Sequence, residues 1–297
     1  MAISPCDSRA DERGRELLTH GTALLPVACY HDDLCRETVP WHWHDELEAV
    51  LVTEGTAVFA VDQEKLFLRA GEGCLINAGV LHATWNAGED ACRLHSLVFH
   101  PRLVGGTPES IFWQKYLLPI LENRSFRLLA LSPVDGREAA MLRDIEEAWQ
   151  SCAGEPHGYE FQLRAALSRV VLALQEYATV GDHSSPARVR RNEERLKLML
   201  AYIRLHLEQE LTIGDIARAA AVSESECIRC FRAVIGSTPI RYVKQLRLQR
   251  AAELLKSTNK KIAEIAADCG FQEMSYFSRA FREQFGKTPS EYRSAQL

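Results

Sequence analysis

The rhythm of apolar and polar positions changes along this 297-residue chain, and each change marks a different kind of structure. From residue 23 to 100 the apolar runs are short, near-alternating and broken by Gly, Asp and Asn. EAVLVTEG, TAVFAVDQEKLFLRAGEG, CLINAGVLHATWN and CRLHSLVFH follow one another at hairpin spacing, with turns at Glu54-Gly55 and across Val61-Asp62-Gln63-Glu64-Lys65. Such strands, with no helix between them, predict a small antiparallel β-barrel or jelly roll. From Ser110 the period lengthens to that of a helix in IFWQKYLLPILEN, REAAMLRDIEEAWQSC and EFQLRAALSRVVLALQEYA. The last segment carries a broad apolar stripe through Phe161, Ala165, Leu167, Val171, Leu172 and Leu174, which must pack on the barrel or on a second subunit.

A polar stretch, TVGDHSSPARVRRNEER, then interrupts the pattern and reads as a linker. Beyond it the helical period returns, beginning with LKLMLAYIRLHLEQE at Leu196. The organisation predicted is α+β in two domains. Residues 1–109 form the barrel, 110–178 a helical dimerisation segment, 179–195 the linker, and 196–297 an all-α domain.

The all-α part contains one pattern written twice. VSESECIRCFRAVIGSTP from Val222 recurs as FQEMSYFSRAFREQFGKTP from Phe271, with Phe231, Gly236 and Pro239 answered by Phe281, Gly286 and Pro289. Ahead of the copies stand IARAAAVS from Ile216 and IAADCGFQ from Ile265. A short helix, a tight turn and a second helix, used twice, predicts two helix-turn-helix units at 212–235 and 261–285. Thr212 and Asp215 have the spacing of a capping box at the start of the first unit, whereas Lys261 occupies the cap of the second. Pro239 opens a long connecting helix through Leu255, with Ile240, Val243 and Leu246 along one side.

Charge sharpens the division. The chain carries −5 overall, but from Arg188 onward 20 Lys+Arg face 13 Asp+Glu, while residues 1–187 hold 15 against 27. A basic tail on an acidic head suits a protein in which one end meets phosphate. The N-terminus lacks the apolar core of a secretion signal, and no stretch approaches the ~20 apolar residues of a membrane span, so a cytoplasmic protein with reduced thiols is expected. Cys227 and Cys230 have C-x-x-C spacing, yet the second copy has Phe277 and Ala280 there, so both cysteines are expected in a helix core rather than on zinc.

The head has its own chemistry. In WHWHDELE, His42, His44 and Glu48 share strand parity and converge inward, and His82 can close the set from another strand. Imidazoles and a carboxylate together make a partial shell for a divalent transition metal, or a hydrogen-bonded polar pocket for an organic effector. The run resembles the cupin superfamily. His42, His44, Glu48 and Gly55 match its first motif, with Arg36 replacing the leading Gly. Gly71, Gly79, His82 and Asn86 match its second, with Asn77 replacing the Pro. That resemblance implies His42, His44, Glu48 and His82 as metal ligands. It also permits a rival function, a metal-dependent cupin enzyme fused to a DNA-binding tail, but no further acid, base or substrate clamp accompanies the motif and no catalytic residue is assigned.

Over residues 196–297 the chain closely resembles the AraC/XylS family of transcription regulators, through RLQRAAELLKSTNKKIAEIAADCGFQEMSYFSRAFREQFGKTPSEYR and the extra residue in the second turn. The resemblance implies a seven-helix tail whose two recognition helices enter successive major-groove segments on one DNA face. It places Ser225, Ile228 and Arg229 of the first, and Met274, Ser275, Tyr276 and Arg279 of the second, against bases, with Arg232 and Arg282 nearer phosphate. Half-sites about one helical turn, ~34 Å, apart are expected. Double-stranded DNA, a small-molecule effector, a second copy of the chain and, for an activator, RNA polymerase are the partners implied. DNA binding itself requires no cofactor.

Overall fold

In the computed structural model of the chain, residues 20–35, 38–61, 64–178 and 187–294 are described, without the side chains of 178 and 187–190. Arg36, the expected turn residues Asp62 and Gln63, and residues 179–186 of the expected linker lie outside that set. The chain divides into two compact units, one ending at Glu193 and the other running from Glu194 onward.

The first unit is built on nine strands. They are β1 (Val27–Asp33), β2 (Val39–His42), β3 (Leu47–Glu54), β4 (Thr56–Val61), β5 (Glu64–Arg69), β6 (Gly73–Ile76), β7 (His82–Asn86), β8 (Arg93–Phe99) and β9 (Leu128–Leu131). They form a five-stranded sheet, β1-β8-β3-β6-β9, and a four-stranded sheet, β2-β7-β4-β5. Every pairing is antiparallel. The expected barrel is therefore not closed: among the described residues no ladder joins the two sheets, and the strands lie in two separate sheets.

Strand alternation explains the two cores of this unit. On β3, Val50 and Val52 join Phe59, Leu68, Cys74 and Ile76 in a cluster that draws on both sheets. Leu47 and Ala49 of the same strand face the other way, into a second cluster shared with helices. Those helices are α1 (Arg102–Gly105), a π-helical turn (Trp113–Leu117) leading into α2 (Leu118–Glu122), α3 (Gly136–Gly154) and α4 (Tyr159–Ala178). Segment 110–178 is thus not purely helical, because β9 interrupts it and extends the five-stranded sheet along β6. Four residues are too few to display a period. Leu163, Leu167, Val170, Val171 and Leu174 of α4 are buried in the shared core, so one face of this helix packs within its own unit. On its other face Phe161 and Leu172 are 81% and 57% exposed.

The second unit holds α5 (Ala187–Leu205) from Glu194 onward, α6 (Ile213–Ala219), α7 (Glu224–Val234), α8 (Pro239–Ser257), α9 (Ile262–Asp268), α10 (Met274–Phe285) and α11 (Pro289–Ser294). The first of these begins inside the stretch expected as linker, so 187–195 is helix. Its long charged side chains favour helix once the chain is past Pro186. Thr212 and Asp215 form the reciprocal capping box at α6. At α9 the Glu264 carboxylate accepts the Lys261 backbone N–H at 3.1 Å, and the lysine side chain has no acceptor with which to return the bond. Phe231 and Phe281, Cys227 and Phe277, and Cys230 and Ala280 are all buried, so both cysteines fill core positions of the repeat. None of the described helices is long and apolar enough to cross a membrane.

The two turns differ in one instructive way. Ala221 and Gly270 occupy equivalent positions, and both have positive φ, 51° and 77°. A side chain in this region costs about 1–2 kcal/mol, and glycine's extra freedom in the unfolded chain offsets part of that. Ala221→Gly is expected to stabilise the second unit by about 0.5–1 kcal/mol. At Gly270 a Cβ would lie 2.8 Å from the Leu207 carbonyl oxygen and 2.9 Å from Arg247 Cζ. Gly270→Ala is therefore expected to destabilise by at least about 2 kcal/mol. Urea unfolding of the full chain reads both changes, and opposite signs at the two positions are the expected outcome.

Candidate metal centre and nucleic-acid interface

Four side chains converge in the first unit. His42 ends β2 and pairs with His82, the first residue of β7, in the four-stranded sheet. Glu48 stands on β3 of the other sheet. His44 lies just past β2 rather than on a strand, so its approach comes from a loop and not from strand parity. That loop is tied to the turn before β7 by Gly79, whose N–H donates to the His44 carbonyl at 2.7 Å. Gly79 holds φ at +72°, a conformation that favours glycine.

Backbone carbonyls fix the chemistry of the three imidazoles. Nδ1 of His42 lies 2.9 Å from the Pro40 oxygen, Nδ1 of His44 3.0 Å from the Glu46 oxygen, and Nδ1 of His82 2.9 Å from the Val80 oxygen. A carbonyl only accepts, so each Nδ1 carries a proton and each ring is left with its Nε2 for other partners. His44 Nε2 and His82 Nε2 stand 3.3 and 2.9 Å from Glu48 Oε2. The His42 and His82 ring centroids are 4.2 Å apart. One ligand atom from each of the four residues falls within 4.8 Å of all the others.

This arrangement calls for positive charge at its centre. Lone pairs directed at a carboxylate oxygen repel it unless a proton or a cation lies between them. Burial by itself would raise the Glu48 carboxyl, but hydrogen bonds and charge from His44 and His82 outweigh it and hold the group well below the usual carboxylate range. The three histidines are buried and Glu48 is 12% exposed, which suits a cation taken out of water. Donors bound to one transition metal at about 2 Å lie about 3–4 Å apart, so a set within 4.8 Å is close to the spacing that a metal needs. The pinned Nδ1–H groups are the outer support that metal-binding imidazoles use to set their orientation.

Asn77, expected only as a replacement for a motif proline, has a structural task. Buried at the end of β6, its Nδ2 donates to the carbonyls of Ile120 and Phe126 at 2.9 and 3.1 Å, and its Oδ1 accepts the Ala78 N–H. It thereby fixes the turn that leads to His82 against the segment after α2. Contacts more than forty residues away leave no local signal.

In the second unit, the nine positions expected to meet DNA lie on α7 and α10. Ser225, Arg229, Arg232, Met274, Ser275, Tyr276, Arg279 and Arg282 are exposed, and Ile228 is half-buried. Arg229 forks onto Glu226 one turn earlier, through Nε at 2.8 Å and Nη2 at 2.5 Å. Glu226 also accepts from Arg195 of α5 at 3.1 Å. The Glu226 carboxylate beside Arg229 raises that guanidinium above its ordinary value, so its charge is secure. On α10 the Arg279 guanidinium and the Lys244 ammonium each lie 5.8 Å from the centre of the Tyr276 ring. Arg247 of α8 ties the two halves of this unit together, donating to the carbonyls of Leu207, Gln209 and Gly270 at 2.9, 2.5 and 3.0 Å. Arg195 and Arg247 escaped the sequence reading because their partners lie on distant segments of the chain.

Comparison with known proteins bears directly on this pairing of units. A family described as an AraC-like ligand binding domain matches residues 24–166, and one described as a helix-turn-helix domain matches residues 216–295. The chain belongs to the AraC family of transcriptional regulators. It is 29% identical over 288 residues to the uncharacterized HTH-type transcriptional regulator YdeC of Bacillus subtilis (strain 168), covering 95% of this chain and 97% of that protein. It is 25% identical to the HTH-type transcriptional activator RhaS of Klebsiella pneumoniae (strain 342), over 89% of this chain and 90% of that one. Among solved structures, an apo variant of ToxT from Vibrio cholerae strain SCE256 covers 94% of this chain and 100% of its own, with a TM-score of 0.50 and 14% identity. That likeness concerns the fold. As an AraC-family regulator, the chain binds DNA in a sequence-specific way and responds through its N-terminal unit.

Proposed function

We propose that this regulator holds a divalent transition metal on His42, His44, Glu48 and His82, within a cupin-like double-sheet sensor, and that the metal governs how its tail holds DNA. The observation that carries the reading is the set of three Nδ1 atoms pinned to carbonyls, with the Nε2 atoms of His44 and His82 on one carboxylate and a His42 ligand atom within 4.8 Å of the rest. Bound there, the metal would supply a fixed positive centre able to take an oxygen or nitrogen ligand. The role is sensing and not catalysis, in keeping with relatives named as regulators. Elemental analysis of the purified, dialysed chain tests it. About one equivalent of metal, lost in His82→Ala, is expected; trace metal that does not respond to the substitution contradicts it.

On the DNA side, Ser225, Ile228 and Arg229 read one half-site, and Met274, Ser275, Tyr276 and Arg279 read the next. Arg232 and Arg282 contact phosphate. The different side chains on the two helices favour half-sites of different sequence.

The exposed stripe of α4 supports a homodimer. Phe161, Ala165 and Leu172 recur at helical spacing and are all exposed, on a helix whose other face is already buried. Phe161→Glu with Leu172→Glu should shift the chain from dimer to monomer in sedimentation velocity without altering the unfolding midpoint. A wild-type chain that sediments as a monomer at micromolar concentration contradicts the pairing. For an activator, RNA polymerase is the further partner.

A further inference from the structure

A fifth histidine adjoins the four-residue centre. His20, on the segment before β1, is only 5% exposed although it belongs to no helix or strand. Its Nδ1 lies 2.8 Å from the hydroxyl of Tyr30, itself buried on β1. Its ring meets that of His44 edge-to-face, with centroids 5.3 Å apart. His20 is not in the set whose ligand atoms lie within 4.8 Å of one another. It touches a ligand of the centre without joining the ligands.

We propose that His20, oriented by Tyr30, is the residue with which the sensor reads a molecule bound at the metal, and that this molecule is a small carboxylate that chelates through its oxygens. The inference rests on the metal reading above. Three neutral imidazoles and one carboxylate leave a divalent ion with net positive charge, which favours an anionic partner in the remaining coordination positions. Because the His20 ring packs on the ring of a ligand, a molecule bound at the metal on the His44 side would come up against it. Imidazole is suited to the task because it donates to a carboxylate oxygen from one nitrogen while the other is held by the tyrosine hydroxyl. A hydrogen bond to a charged oxygen is among the stronger ones a protein makes, so its loss is measurable. A purely structural His20 would pack against His44 equally well but would not distinguish the loaded from the liganded centre.

The test uses the full chain loaded with cobalt(II), whose visible absorption reports its coordination, and oxalate as the probe carboxylate. In wild type, oxalate should change the cobalt spectrum saturably. In His20→Ala the cobalt affinity should stay within about threefold of wild type, while oxalate affinity falls tenfold or more. His20→Gln, which keeps a donor, should recover part of the loss, and Tyr30→Phe should lose a few-fold by releasing the ring. Equal oxalate affinity in wild type and His20→Ala overturns the proposal. So does a tenfold loss of cobalt itself in His20→Ala, which would make the residue a ligand or a packing element. A wild-type chain that binds cobalt but ignores oxalate overturns the carboxylate class. One that takes up no cobalt overturns the underlying metal reading, an outcome separable from the others because it appears before oxalate is added.

Discussion

Arg229→Ala and Arg279→Ala should each weaken operator binding by about tenfold to a hundredfold, and each should relax base preference in a different half-site. The magnitude follows from the one or two hydrogen bonds that a guanidinium makes to a guanine edge in the major groove. The two arginines start from different states. Arg229 is forked onto Glu226, and that ion pair is exposed enough to be weak in water. When Arg229 turns to a base, Glu226 keeps Arg195 as its partner, so no carboxylate is stranded. Arg279 instead rests near the Tyr276 ring and, among the described residues, pairs with no carboxylate. The loss in Arg279→Ala should therefore be at least as large. Arg232→Ala and Arg282→Ala should act differently, lowering affinity on all sequences alike and reducing the salt slope by about one each. Mobility-shift titrations on operators mutated in one half-site at a time separate these patterns. Unchanged affinity and preference in both Arg229→Ala and Arg279→Ala would falsify the assignment of the reading positions.

The second large effect is at the centre. His42→Ala, Glu48→Ala and His82→Ala should each lower metal affinity at least a hundredfold, because each removes a ligand from a set of four, and loss of mere outer support already costs about 10–100-fold. Glu48→Ala has a further consequence. It removes the buried carboxylate that His44 and His82 pair with, so the apo form of this variant should also unfold more easily than wild type. Cys227→Ser and Cys230→Ser are the controls. Both thiols are buried in the helix core, with Cys227 pushed up to about 11 by burial, so neither substitution should change metal content. Equilibrium dialysis with a chromophoric chelator gives all five affinities on one scale.

Much of this molecule was legible in its sequence where signals are local and repeated. The doubled helix-turn-helix pattern carried its own proof, since a residue that is Cys in one copy and Phe or Ala in the other must be core. The four centre residues were legible as a motif, although the reason they converge was not. His44 reaches the centre from a loop, and the carbonyls that orient all three rings belong to the backbone. Non-local features were out of reach. Whether strands close into a barrel or lie in two sheets depends on ladders between distant segments. Leu128–Leu131 is too short to show alternation, and its status as a strand depends on β6 lying beside it. Asn77, Arg247 and His20 are ordinary polar residues until their partners, ten to forty-nine positions away, are known.

The claim that joins the two units is that metal in the sheet-lined centre changes how the tail holds DNA. Its most direct test is quantitative footprinting of the promoter beside its own gene, with the full chain first stripped by a chelator and then reloaded. Protection of two successive major-groove segments on one face of the DNA is expected, with a midpoint that shifts about tenfold or more on reloading in wild type and stays fixed in His82→Ala. The same midpoint for stripped and reloaded wild type would contradict the account.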